Sequence, residues 1–353
     1  MNPVPFGTFA LTDIQLFNNA RLIFDTTAGK ATVVSGENNA FDTGGQQFTV
    51  VFRDVRDLGY GRRMTGRRNA DGSIAFLVEN YHIDTVPGGY STVNVDAAVA
   101  RDTQWHVGTN AIEWSCHPQP AGCARPFAKF YNFNSATGER QSEVNLDGRG
   151  VKSMPNICTN CHGGRGDPLD LDGSFPKVAN IANIQRGDVM AKLQGFNVDS
   201  FEWSASPGYT RADQEAVLKI FNQWVLCTYP AGGLVTGTWG TCNQPAAAAN
   251  EWQATAAQMI HAWYGGDISN PVNAVFSDTY LPAGWAGDAT LYNQVVAPYC
   301  RTCHILRGTG NQSDIDFITE AKFLQFTDRI KVHVFDRGNM PLAFLVYQDF
   351  WRS

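Results

Sequence analysis

Two short stretches, ICTNCHGG (157–164) and YCRTCH (299–304), each place two cysteines three positions apart with a histidine directly after. Three chemistries use cysteines spaced in this way. A zinc ribbon needs two CxxC units roughly 15–20 residues apart, and these two lie much further apart along the chain. A thioredoxin-like dithiol needs one CxxC after a strand of a βαβ unit and makes no use of the histidine. C-x-x-C-H is the attachment signature of c-type haem. Each thiol adds to one vinyl group of the porphyrin, the spacer sets the sulfurs one helical turn apart, and the histidine presents its imidazole to the iron. With 8 Cys and 7 His in 353 residues, chance gives such a signature about 0.004 times per chain. Two complete copies predict two covalently attached haem c groups. Cys158, Cys161, Cys300 and Cys303 would form the thioethers, with His162 and His304 as iron ligands.

The other four cysteines form two close pairs, Cys116/Cys123 and Cys227/Cys242, with neither metal-ligand nor redox spacing. They are expected as disulfides, and hence an oxidising compartment. The start, MNPVPFGTFALTDIQLF, has no basic segment, apolar core or cleavage site, so it is not a signal peptide. Haem is attached to these motifs outside the bacterial cytoplasm. The leader is therefore expected to be missing from this sequence, and the chain to work in the periplasm or extracellularly. The net charge of −6 and the absence of a Lys/Arg cluster exclude a nucleic-acid face and favour basic or neutral partners through association rate. No run of eighteen apolar residues exists, so the chain is not expected to span a membrane.

At 353 residues and 43% hydrophobic, the chain can build two or three cores. Alternating or β-branched runs fill about residues 8–135: ATVV (31–34), QFTVVF (47–52), SIAFLVENYHI (73–83), STVNV (91–95), NAIEW (110–114) and FAKFYNF (127–133). Turn clusters such as TAGK, NADGS and VPGG separate them. RADQEAVLKIFNQWVL reads as a helix with Val217, Leu218, Phe221, Trp224 and Val225 on one stripe and a capping-box-like TRAD start. NEWQATAAQMIHAWYGG reads as another, with Gly265 as its C-cap. Ahead of the second signature, Asp288 is a candidate N-cap and Pro298 a helix stop; no helix leads into the first. The expected fold class is α+β: an N-terminal, mostly antiparallel β domain (1–145), a helical region carrying haem 1 (146–286), and a haem 2 domain (287–353).

A helix leading into CxxCH, the amphipathic FITEAKFLQFTDRI after it, and then FDRGNMPLAF together resemble a class I cytochrome c over roughly residues 287–353. In that family the methionine of Met-Pro is the distal iron ligand, which implies Met340 here; the soft thioether favours ferrous iron and raises the potential. The bland reading of Met340 is a core gap-filler. His333 is the runner-up ligand, although it stands in an alternating KVHVF stretch. More widely, DLGYGRRM, NLDGRG, CTNCHGG, HAWYGG, VVAPYCRTCH and MPLA together resemble a little-characterised group of predicted bacterial dihaem cytochromes, from about residue 55 onward. That resemblance implies no substrate.

No Met-Pro loop follows the first signature, so its distal ligand must come from elsewhere. Met64 follows the Gly-bracketed DLGYGRR turn, beside arginines that could meet propionates, and is the favoured candidate. It would make the β domain a distal lid. His261 and Met190 are the alternatives, whereas Met259 lies on the apolar stripe of its helix and Met154 stands too close to Cys158. Asp167, Asp170 and Asp172 before Gly173 suggest a calcium loop, but Pro168 and Ala179 then occupy positions that need carboxylates. Arg62, Arg63, Arg67, Arg68 and Arg149 are expected to be solvated for the most part. Nothing resembles a hydrolase triad or a phosphate loop. The expected function is electron transfer between redox partner proteins or to an extracellular acceptor. The alternative is a dihaem peroxidase or oxidase of the cytochrome c peroxidase type. A β domain that binds another surface component, or stacks with its own copies, is a third possibility.

Overall fold

The computed structural model describes residues 15–16, 20–25, 30–34, 46–69, 72–83, 93–115, 126–163, 191–229, 256–269, 275–306, 315–338, 340 and 344–352. An antiparallel sheet is followed by helices, and the fold is α+β as the patterning predicts. The first strands, β1 (Gln15–Leu16), β2 (Ala20–Asp25) and β3 (Lys30–Val34), form a small antiparallel sheet. A six-stranded sheet comprises β4 (Gln46–Asp54), β5 (Gly61–Arg68), β6 (Ile74–Tyr81), β7 (His106–Ser115), β8 (Phe127–Phe133) and the late edge strand β11 (Phe201–Glu202). Its order is β11-β4-β5-β6-β7-β8. Four consecutive antiparallel pairings fix the register, and one rank across the sheet reads Val50, Met64, Val78, Asn110, Asn132. Every residue of β6 is buried, and its first five, Ile74–Val78, read as a continuous apolar run rather than an alternating one.

Of the stretch at 91–95, expected as a strand, residues 93–95 instead open helix α1 (Val93–Ala100), and 91–92 lie outside the described residues. Residues 93–95 look β-prone alone, but the alanines that follow favour helix. Val95, Ala97 and Ala98 bury against Val51 and Tyr81, while the Asn94 carboxamide accepts from Ile83 N–H at 2.9 Å. Burial against the sheet outweighs a local propensity of a few tenths of a kcal/mol. The close approach needs Gly61, since a Cβ there would overlap the Asn94 carbonyl.

Between β8 and the first signature lies a short hairpin, β9 (Glu143–Val144) with β10 (Lys152–Ser153). Helix α2 (Asn156–His162) carries the first signature. Helix α3 (Arg211–Cys227) begins as TRAD predicts. Asp213 accepts from Thr210 N–H at 3.0 Å and from the Thr210 hydroxyl at 2.6 Å, and Leu218, Phe221, Trp224 and Val225 are buried. Helix α4 (Gln258–Ala262) ends at Gly265 and Gly266, both with positive φ (73° and 91°). The C-terminal segment continues with α5 (Ala289–Leu291), a wide π turn (Tyr292–Val296), α6 (Ala297–Tyr299), α7 (Arg301–His304), α8 (Glu320–Gln325), α9 (Thr327–Ile330), a second π turn (Lys331–Asp336) and α10 (Phe344–Arg352).

One expectation in this segment is corrected. Pro298 does not stop the helix, because Ala297 N–H reaches back five residues to the Tyr292 carbonyl. That wide turn gives room for a ring that has no N–H to donate. The alternating KVHVF stretch is helical, continuing directly from α9.

The chain divides into two compact units that interleave in sequence. The first comprises Met1–Arg53, Tyr60–Pro155 and Glu202–Val217; the second comprises Asp54–Gly59, Asn156–Phe201 and Leu218–Ser353. Among the described residues, no helix is long and apolar enough to cross a membrane.

Gly61→Ala is expected to destabilise the first unit by about 1–3 kcal/mol or more, because the added methyl meets backbone that cannot rotate away. Urea unfolding followed by far-UV circular dichroism measures this. An unchanged midpoint would mean that α1 does not press on β5 as described.

Candidate functional site

Helix α2 holds Cys158, Cys161 and His162 on one turn and closes at Gly163, whose N–H donates to the Thr159 carbonyl at 3.0 Å (φ 70°). Behind it runs an extended strap, residues 191–197. Lys192 N–H donates to the His162 carbonyl at 3.0 Å, and His162 Nδ1 lies 2.8 Å from the Lys192 carbonyl. A carbonyl can only accept, so Nδ1 carries the proton and Nε2 keeps its lone pair for a metal.

The second signature lies at the end of the 289–304 helical run. Asp288 caps that run by accepting from Leu291 N–H at 2.9 Å, as expected. His304 repeats the arrangement of His162: its Nδ1 donates to the Ile315 carbonyl at 2.9 Å, and its own carbonyl accepts from Phe317 N–H at 2.9 Å. The Phe317 ring stacks on the imidazole with centroids 4.4 Å apart. Cys300 and His304 line one cavity together with Met340, His333, Tyr299 and an apolar wall that includes Phe323, Phe326, Ile330 and Phe350. The expected ligand Met340 and the runner-up His333 thus share one pocket with the second signature.

The fold also brings the two signatures to each other, since Cys161 Sγ and Cys303 Sγ are 3.2 Å apart. The Gln194 side chain amide donates to the Cys161 carbonyl and, at 3.0 Å, to the Thr302 carbonyl. The strap itself is pinned. Asn222 accepts from Phe196 N–H at 2.7 Å and donates to its carbonyl at 3.0 Å, and the Tyr229 hydroxyl donates to the Leu193 carbonyl at 3.2 Å. Gly195 admits α4 closely, because a Cβ there would stand 2.8 Å from Ile260 Cγ1.

Within the second signature, Arg301 is 2% exposed. It makes a two-pronged ion pair with Asp278, one arm at 3.0 Å. Asp278 also accepts from Trp263 Nε1 at 2.9 Å and Asn197 Nδ2 at 3.0 Å, and Arg56 lies 3.6 Å away. Burial pushes the Asp278 carboxyl up, but the Arg301 hydrogen bond and charge outweigh it and hold the group below the usual range.

Burial disfavours the thiolate at two of the four signature cysteines. Burial pushes Cys158 up to about 12, and burial plus Cys303 does the same to Cys300; a reactive dithiol or zinc ligand needs the thiolate. Although the fold reunites one cysteine from each signature, no group of three or more His, Cys, Asp or Glu fit to hold a metal occurs among the described residues. The residues gathered at the second signature are of the kind that would hold a c-type haem. It takes its cysteines as thioethers rather than thiolates, needs an imidazole with Nε2 available, and asks for an apolar pocket with a soft second ligand.

Met64 stands mid-strand on β5, 6% exposed, in the first unit. His261 is buried on α4, and its Nδ1 accepts from Ile268 N–H at 3.5 Å, the opposite tautomer to the two signature histidines. Met259 is core, as expected. Arg67 is buried rather than solvated and donates to Asn69 Oδ1 at 2.8 Å. Cys227 is disulfide-bonded. Cys116, Cys123, Cys242, Met190 and the Asp167–Gly173 stretch lie outside the described residues. Gln194, Lys192 and Asp278 carry no sequence signal, whereas Arg301 stood visible inside the CxxCH spacer. Comparison of the chain with family models, curated proteins and solved structures gives no match.

Asp278→Asn leaves Arg301 buried without a counter-charge, and is expected to cost about 3–5 kcal/mol near neutral pH. Because the folded carboxyl is depressed, its contribution is full above about pH 4 and fades as pH falls through the folded value. The stability gap to the native protein should therefore narrow in acid. Urea midpoints measured across pH read this, and equal midpoints at pH 7 would contradict it.

Proposed function

We propose that the chain is a dihaem c-type cytochrome that carries electrons between redox partner proteins, or to an extracellular acceptor, outside the cytoplasm. The observation that carries this reading is an apolar cavity lined by Cys300, His304 and Met340 together. Bound haem iron would exchange one electron between its ferric and ferrous states. Cys158 with Cys161, and Cys300 with Cys303, anchor the two groups. The Nδ1 hydrogen bonds of His162 and His304 hold each ring in the tautomer that ligates and make Nε2 a better donor. Met340 shares the cavity with His304 and would hold the same haem through its thioether, and the phenylalanines that line the cavity would keep water from it, which would favour the lower charge of the reduced site. The disulfide at Cys227 supports an oxidising compartment.

Denaturing mass spectrometry should show the chain plus two haem masses that resist acid-acetone extraction. Cys300→Ala with Cys303→Ala should show one. A native chain without added haem mass would sink the reading.

Met340→His exchanges a soft sulfur for a harder imidazole and should lower one midpoint potential while leaving the other in place. Spectroelectrochemical titration follows both. Two unshifted potentials would show that Met340 only packs.

A further inference from the structure

Cys161 and Cys303 hold equivalent places, each directly before the histidine of its signature, and their sulfurs are 3.2 Å apart. In a c-type attachment the sulfur bonds one vinyl carbon, and that carbon is bonded directly to the porphyrin ring. Two sulfurs in contact therefore bring two ring edges within a few bond lengths of each other. Backbone on both sides ties the contact down. The Gln194 amide has two hydrogens and gives one to each signature, to the Cys161 carbonyl and to the Thr302 carbonyl. Sliding α2 against α7 would break one of these part-buried bonds and leave a carbonyl without its donor. Gln194 cannot follow such a slide, because Leu193 and Phe196 on either side of it are pinned by Tyr229 and Asn222.

We propose that the Cys161–Cys303 contact, held by Gln194, is a haem–haem junction. The two groups then form one electronically coupled pair, and Gln194 is its positioning residue. This rests on the dihaem reading above. It implies an internal electron path, so that donor and acceptor proteins can dock at different haems.

The test is Soret-region circular dichroism of the oxidised holoprotein. It is compared with the two single-haem variants, Cys158→Ala/Cys161→Ala and Cys300→Ala/Cys303→Ala, with haem content measured by mass in every sample. Coupled porphyrins give a bisignate band that neither gives alone. The expected result is a couplet in the holoprotein and its loss in both variants. Gln194→Glu keeps the size of the side chain and removes both donated hydrogens; it should retain two haems and lose most of the couplet. Two haems with a spectrum equal to the sum of the single-haem spectra would overturn the junction and leave the dihaem reading standing. A full couplet in Gln194→Glu would overturn the role of Gln194. Fewer than two haems in the native chain would overturn the dihaem reading, and the junction with it. If a single-haem variant does not accumulate, the native band shape decides, and a band of one sign overturns the junction.

Discussion

A neutral imidazole has one ring proton, and a backbone carbonyl can only accept. These two facts make the Nδ1 hydrogen bonds of His162 and His304 decisive, since each bond fixes where the lone pair lies. The carbonyls come from residues 192 and 315, which follow their histidines by different distances in the chain. Two unrelated loops thus solve the same problem in the same way. In each case the histidine's own carbonyl is also used, accepting from Lys192 N–H or Phe317 N–H, so ring and backbone are held together.

The rest of the second unit follows from holding those loops still. The 191–197 strap reaches its place because Gly195 lets it lie against Ile260 and Trp263, and because Asn222 grips Phe196 from both sides. The second signature is fixed differently, through the buried Arg301–Asp278 pair. A buried ion pair adds little net stability, but breaking it is expensive. Its worth here is orientation: Trp263, Asn197 and Arg301 all converge on one carboxylate and so lock α7 to the strap and to α4.

Much of this was legible in the sequence where chemistry is local. The CxxCH spacing, the Thr210/Asp213 start of α3, the Asp288 cap and the Gly265 stop each depend on residues within one turn. The strands at 47–52, 110–114 and 127–133 declared themselves by pattern. Where tertiary contact decides, the local signal failed. Residues 93–95 are β-prone by type, yet open a helix pressed on the sheet at Gly61. Pro298 reads as a stop, yet a wide turn ahead of it carries the helix through. KVHVF alternates by chance inside a helix. Gln194 could not be found from sequence, because both its partners belong to distant segments and a glutamine in a loop has no distinguishing neighbours.

On the dihaem proposal, the two signature histidines would present Nε2 to two iron atoms. Anomalous scattering from crystals of the native protein, collected at the iron absorption edge, tests it without reference to spectra or activity. The account predicts two peaks per chain, one beside His162 Nε2 and one beside His304 Nε2, each at the centre of planar density joined to its pair of cysteine sulfurs. A single peak, a peak at Nδ1, or no iron at either histidine would contradict it.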